Sequence, residues 1–145
     1  MKRVVVKEEY CMNCRLCEVN CKAAHSSYPG DVLKAFLLEG DRLVARVRVE
    51  QKGYQTFPVQ CRNCPRPLCV EACMGGAMSV DSTGQVIHDS AKCVGCWMCV
   101  MVCPVGAVVP VASEHVVAKC DMCKALEAPA CVQGCPNEAL YVEEA

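Results

Sequence analysis

Every one of the sixteen cysteines in this 145-residue chain belongs to a short motif that recurs four times. The quartets are Cys11-x2-Cys14-x2-Cys17-x3-Cys21, Cys61-x2-Cys64-x4-Cys69-x3-Cys73, Cys93-x2-Cys96-x2-Cys99-x3-Cys103 and Cys120-x2-Cys123-x7-Cys131-x3-Cys135. All four open with C-x2-C and close with C-x3-C. Self-similarity of this kind means one small structural unit repeated, with repeats that must lean on one another to make a core.

Dense cysteine has two usual physical meanings: disulfide staples in an oxidising compartment, or metal ligation in a reducing one. The start of the chain, Met1-Lys2-Arg3-Val4-Val5-Val6-Lys7-Glu8-Glu9, returns to charge after three apolar residues and reads as neither a secretory nor a twin-arginine signal. The expectation is a cytoplasmic, reducing setting, and hence metal. Cystines within quartets this tight would be strained local loops. Zinc ribbons also use C-x2-C pairs, but they join two pairs across a long spacer and seldom add a C-x3-C close. Iron–sulfur cubanes fit better. A C-x2-C step wraps a tight loop around a cluster, and three residues before the fourth cysteine suit the first turn of a helix that points this thiolate away from the first three. In two-cluster ferredoxins the fourth cysteine ligates the other cluster. Quartets then work in pairs, and four quartets make four sites of four thiolates.

The rest of the composition agrees. Leu, Ile and Phe are scarce while Val and Ala carry the apolar count. A side-chain core of that kind offsets chain entropy poorly, so clusters are expected to replace bulk and crosslink segments, and the metal-free chain is expected to lack a fixed fold. The formal net charge of −1 leaves no basic face for nucleic acid, and seven aromatic residues (two Phe, one Trp, four Tyr) leave little surface for stacking bases. Residues 93–113 carry no charge and are long enough to span a bilayer. Gly95, Pro104, Gly106 and Pro110 interrupt them, so a buried run around clusters, with no membrane insertion, is the expectation. No nucleotide fingerprint is present. His25, His88 and His115 are far apart in sequence, the acidic residues form no paired constellation, and no catalytic site is expected.

Short helices are predicted near Leu16–Ala24, Leu68–Cys73, Met98–Cys103 and Ala130–Cys135, with Pro104 and Pro136 ending two of them. Strands are predicted at Val4–Lys7, Leu43–Val49, Val116–Lys119 and Leu140–Glu143, and a hairpin around Gly84 between Ala77–Val80 and Gln85–His88. Lys34–Leu38 reads equally as helix or strand. The uncharged Val105–Ser113 run suits either core or an interface. Met98 and Met101 read as cluster packing and Trp97 as a buried wall. Lys22, Arg62, Arg66, Lys92, Lys119 and Lys124 lie within three residues of a ligand. They can offset cluster charge, raise cluster potentials or dock an acidic partner, but ordinary solvated side chains are the expectation for them.

Quartet three in its full form, C-x2-C-x2-C-x3-C-P, resembles the bacterial ferredoxin signature. The whole chain resembles the four-cluster, ferredoxin-type electron-transfer subunits of molybdenum oxidoreductases such as formate dehydrogenase and dimethyl sulfoxide reductase. The runs Cys21–Ser26, Lys92–Pro104 and Ala130–Pro136 are most similar to small iron–sulfur subunits serving carbon monoxide dehydrogenase or tungsten aldehyde oxidoreductases. The resemblance implies an α+β fold of two ferredoxin-like dicluster modules. The outer one spans residues 1–55 and 113–145 and the inner one 56–112. It implies four [4Fe–4S] clusters, held by Cys11, Cys14, Cys17 and Cys135; by Cys120, Cys123, Cys131 and Cys21; by Cys61, Cys64, Cys69 and Cys103; and by Cys93, Cys96, Cys99 and Cys73. Lys22 and Met74 depart from the family by replacing the proline after the fourth cysteine. No cysteine is substituted, so three-iron clusters are not expected. The implied role is relay of single electrons in anaerobic metabolism between a catalytic molybdenum or tungsten aldehyde oxidoreductase or carbon monoxide dehydrogenase subunit and a second partner, a flavin-containing NAD(P)H oxidoreductase subunit or a ferredoxin. A free-standing polyferredoxin is the closest alternative.

Overall fold

Four two-stranded antiparallel ribbons and five short helices make up the chain in a computed structural model that describes residues 2–144. In order, the elements are β1 (Lys2–Val6), α1 (Leu16–Ala24), α2 (Val32–Glu39), β2 (Val47–Lys52), β3 (Gln55–Gln60), α3 (Leu68–Glu71), β4 (Met78–Val80), β5 (Val86–His88), α4 (Met98–Val102), β6 (Val109–Val111), β7 (Val116–Ala118), α5 (Ala130–Gln133) and β8 (Leu140–Glu144). Single 3₁₀ turns cover Glu8–Tyr10 and Gly40–Arg42.

The apolar side chains form two separate cores. One collects Val4, Val47, Val49 and Leu140 with Cys17, Cys21 and Cys131. The other collects Met78, Val86, Val108 and Val117 with Cys99, and Cys69, Cys73, Cys93 and Cys103 pack against it. Both cores are thus part cysteine, as the scarcity of large apolar residues requires. β1 and β8 join the two ends of the chain in register Lys2↔Glu144 to Val6↔Leu140. The Lys2–Glu144 pair at 3.1 Å and a two-pronged Arg3–Glu143 contact at 2.9 and 2.6 Å close that ribbon on opposite faces. α1 packs on α5 and α3 on α4. The result is two dicluster-like halves, one built from quartets one and four, the other from quartets two and three.

Two strands of this architecture escape the sequence reading. β3 contains Pro58 and β6 contains Pro110, and a proline argues against a strand that donates on both edges. Each sits in a two-stranded ribbon, where one edge of the strand needs no donor. The β2–β3 turn fixes the register: Gly53 takes φ +62 at the first central position, where a type II′ turn needs glycine. β2 is displaced from the expected Leu43–Val49: it begins at Val47 and runs on through the exposed Glu50–Lys52 to pair with Gln55 across this turn. Lys34–Leu38 is helical. Asp31 caps that helix, its carboxylate accepting from the Lys34 N–H at 3.0 Å. The uncharged 93–113 run breaks into α4, a turn and β6, with Ala107 and Val108 in the core. Among the described residues no helix is long and apolar enough to cross a membrane.

Candidate iron–sulfur centres

The repeated spacing produces a repeated backbone. The third residue of each opening C-x2-C, namely Asn13, Asn63, Gly95 and Met122, adopts the left-handed conformation with φ of +58, +47, +68 and +61. Arg15 and Trp97, one residue after the second cysteine, do the same at φ +57 and +56 and lead directly into α1 and α4. A left-handed residue reverses the chain sharply enough to curl two thiols toward one point. Asn tolerates this best among non-glycine residues. Gly95 has a second reason to be glycine: a Cβ there would lie 2.4 Å from the His115 carbonyl oxygen in the loop between β6 and β7.

The closing cysteines are handled alike as well. The thiol sulfur of each accepts a backbone N–H: Cys21 from Arg46 at 3.2 Å, Cys73 from Met78 at 3.4 Å, Cys103 from Ala107 at 3.3 Å and Cys135 from Ala139 at 3.3 Å. Such bonds favour the thiolate over the thiol. In quartets three and four the donor comes four residues on, past the proline that ends the helical turn. In quartet one it comes from the approach to β2, so the long insertion after Lys22 is folded back to serve the same purpose.

Cysteines from different quartets lie near one another. Cys11, Cys14 and Cys17 line one cavity with Cys135. Cys93, Cys96 and Cys99 line another with Cys73. Cys131 has Cys120, Cys123 and Cys21 as electrostatic neighbours, and Cys69 has Cys61 and Cys103. Cysteines of different sets also share a core, Cys99 and Cys69 in the inner one and Cys131 and Cys17 in the outer. Burial pushes Cys17 and Cys120 up to about 12 and Cys99 up to about 11, and it pushes Cys131 up as well, with neighbouring thiolates adding to each shift. Sulfur this reluctant to ionise in an apolar pocket suits a ligand that replaces the proton with iron. Cys14 and Cys96 alone among the sixteen are exposed.

The polar atoms around these cavities lack partners that iron–sulfur groups would supply. The ring nitrogens Trp97 Nε1 and His88 Nε2 are buried and without a hydrogen-bond partner, and both residues line the Cys73–Cys93–Cys96–Cys99 cavity. Lys119 is 4% exposed and makes no ion pair among the described residues. Buried ring nitrogens of this kind suit donation to the sulfurs of a cluster, and a buried ammonium suits an anionic one nearby. The donor set and its surroundings therefore fit the clusters.

Several side chains behave differently from expectation. Lys119 is buried, not solvated. Met98 and Met101 are 43% and 81% exposed, while Trp97 lies against the inner core. His25 was isolated in sequence but stands in a network. Its Nδ1 donates to the Cys21 carbonyl at 2.7 Å, its Nε2 to Asp121 at 3.1 Å, and Arg46 pairs with the same carboxylate at 2.6 Å. Burial works against the charged imidazole, but the bonds to Asp121 and Cys21 outweigh it and hold His25 up at about 9. Asp121 is held well below the usual carboxylate range by His25 and Arg46, against the opposing effect of burial. Two signals were available for this network: Asp121 lies between Cys120 and Cys123, and His25 follows Cys21 by one helical turn.

Known proteins share this organisation. The 4Fe-4S dicluster domain family matches residues 52–145. An iron–sulfur protein of Rhodospirillum rubrum is 36% identical over 94% of this chain and 79% of its own length. The thiosulfate reductase electron transfer subunit PhsB of Salmonella typhi is 31% identical over 92% of this chain and 70% of its own. In fold, the chain superposes on one from the active-site complex BamBC of benzoyl-coenzyme A reductase with a TM-score of 0.54 at 22% identity, covering all of this chain and 80% of the other. Sixteen cysteines suit two dicluster modules, that is four [4Fe–4S] clusters. The chain belongs to the 4Fe-4S dicluster family of ferredoxin-type electron-transfer proteins.

Proposed function

We propose that this chain is a four-cluster relay subunit, with no catalytic site of its own, that carries single electrons between a catalytic oxidoreductase subunit and a second redox partner. The proposed ligand sets are Cys11/Cys14/Cys17/Cys135, Cys120/Cys123/Cys131/Cys21, Cys61/Cys64/Cys69/Cys103 and Cys93/Cys96/Cys99/Cys73. The first two form an outer module (1–55 with 113–145) and the last two an inner one (56–112). The hairpins β2–β3 and β6–β7 lie across those boundaries and would tie the modules together. When bound, each cluster supplies a one-electron couple at fixed coordination, tuned by burial and hydrogen bonds to sulfur.

The observation that carries this reading is the order of thiol neighbours. Cys99 and Cys69 share the inner core, Cys131 and Cys17 share the outer one, and Lys119 joins the two at Val86 and Cys120, which supports a single file of the four sets. The two sets at the ends of the file hold the two exposed cysteines, Cys96 and Cys14. Single file with exposed ends is what a wire needs: an entry, an exit and no shortcut. α2 supports a subunit role. Leu33, Leu37 and Leu38 on it are 72%, 74% and 62% exposed, an apolar surface better suited to a protein partner than to water. The relative PhsB supports an oxidoreductase as that partner. We place the relay in the cytoplasm, with a tungsten or molybdenum aldehyde oxidoreductase or a carbon monoxide dehydrogenase at one end. A flavin-containing NAD(P)H oxidoreductase subunit or a ferredoxin would take the other.

Anaerobic purification of the tagged chain from its own host tests this directly. About sixteen irons and sixteen acid-labile sulfides per chain are expected from four cubanes, together with an untagged oxidoreductase subunit. A fully loaded monomer without partner would favour a free-standing polyferredoxin, and negligible sulfide would overturn the relay.

A further inference from the structure

The six basic residues beside the cysteines divide sharply by environment. Lys92, Lys124 and Arg66 pair with Asp89, Asp81 and Glu71 at the surface. Arg62 lies over the Phe57 ring and Lys22 over the Phe36 ring. Lys119 alone is buried. Its ammonium donates to the Val86 carbonyl of β5 and, at 2.9 Å, to the Cys120 carbonyl. Val86 belongs to the core of the inner half, while Cys120 opens quartet four of the outer half. Lys119 therefore spans the seam between them. Nearby, Asn63, 2% exposed, spans the same seam by accepting from the Val86 N–H at 3.3 Å and donating to the Lys2 carbonyl at 3.3 Å.

A buried cation with only neutral carbonyl partners is costly, and a nearby anion is the ordinary remedy. Asp121 and Glu114 line the same cavity as Lys119, but Asp121 is already paired with Arg46 and His25; the thiolate sites are the other negative groups at this seam. The Lys119 ammonium is bonded to the Cys120 carbonyl on one side and, on the other, to Val86, against whose core Cys69 packs, so it sits beside one ligand set from each half. Each oxidised site carries a charge of about −2, and reduction adds one more electron. Two such sites face one another across the seam, so charging one opposes charging the other, with little water between to screen them.

We infer that Lys119 is a positioning charge for electron flow: it raises the reduction potentials of the two middle clusters and leaves the two end clusters unaffected. This rests on the four-cluster reading above. Its effect is to let an electron pause at the seam instead of being repelled from it, so that the two halves operate as one wire. The other five lie nearer the surface, where water screens them, and Lys92, Lys124 and Arg66 are also paired with carboxylates.

The test compares Lys119→Met, which keeps the length and removes the charge, with Lys119→Arg, which keeps the charge. Both are prepared anaerobically in the full chain, assayed for iron and sulfide, and titrated by electron paramagnetic resonance. In Lys119→Met, two of the four couples should move to lower potential, raising their oxidised-to-reduced ratio about tenfold at a fixed potential, or about 59 mV for one electron. The other two couples should stay in place, and Lys119→Arg should restore all four. Should Lys119→Met not load, Lys119→Gln retains N–H donors for the two carbonyls and takes its place. Four unmoved couples, or four couples moved together, would overturn the inference while leaving the relay intact. Wild-type protein without clusters would remove the relay itself.

Discussion

In the inner half, quartets two and three follow one another along the chain, joined by the β4–β5 hairpin whose strands are three residues each. In the outer half, quartets one and four are the first and last, and the strands that close it are five residues each, with Arg3 bonded to Glu143 across 140 positions of sequence. The local treatment of cysteine is the same in both: a left-handed third residue, a short helix, and a backbone N–H on the closing sulfur. What differs is closure. A long loop costs more entropy to close than a short one, though only logarithmically, and the outer half invests in a longer ribbon, two cross-strand ion pairs and a leucine. The comparison teaches that the quartet carries its own local geometry but needs a partner quartet both to complete its ligand sets and to fold. The inner module can form as its residues meet locally, whereas the outer module needs both chain ends.

The strongest way to break this picture is to remove one exposed ligand from each half. Cys14→Ser should cost one outer cluster, and Cys96→Ser one inner cluster. Either way about a quarter of the iron and sulfide is lost and the opposite module keeps its spectrum. Iron assay with electron paramagnetic resonance on each variant decides it. Loss of all four clusters from either single change would mean that the halves are not modular.

How much of this was legible in advance follows the same division between local and remote. α1 spans the expected Leu16–Ala24, α4 and α5 begin where predicted, and β4–β5 turns around Gly84, because each depends on residues a few positions apart. β3 and β6 were invisible because Pro58 and Pro110 signal against a strand until the partner edge is known. The character of α2 turned on one capping aspartate outside the run being read. Lys119 looked like any lysine next to a ligand. Its burial arises from β5 coming across it, a contact between residues 33 positions apart. The His25–Asp121 pair joins positions 96 apart, and only the convergence of quartets one and four brings it together.

Core truncations sharpen the comparison at a smaller scale. Leu140, 2% exposed in β8, anchors the outer core, and Val117, 4% exposed in β7, the inner one. Leu140→Ala should destabilise by about 2–5 kcal/mol. Val117→Ala removes two methyl groups and should destabilise by about 1.5 kcal/mol. Anaerobic guanidinium unfolding of the loaded protein, followed through cluster absorption, ranks them. A larger loss from Val117→Ala would place the weaker closure in the inner half and reverse the argument.

The smallest effect expected concerns the ion pairs on the β1–β8 ribbon. Arg3 and Glu143 are 40% and 39% exposed, so water screens much of their attraction, and both guanidinium nitrogens reach the one oxygen Oε2. Arg3→Ala should cost about 0.5 kcal/mol, diminishing further in high salt. Lys2→Ala, at the more exposed Lys2–Glu144 pair, should cost less again. The two substitutions together, measured by the same unfolding, separate pairing from burial in holding the chain ends. A loss approaching that of Leu140→Ala would show that charge, rather than the buried leucine, closes the outer half. A loss near zero with the outer clusters retained would assign closure to Leu140 and to the iron ligands on either side of it.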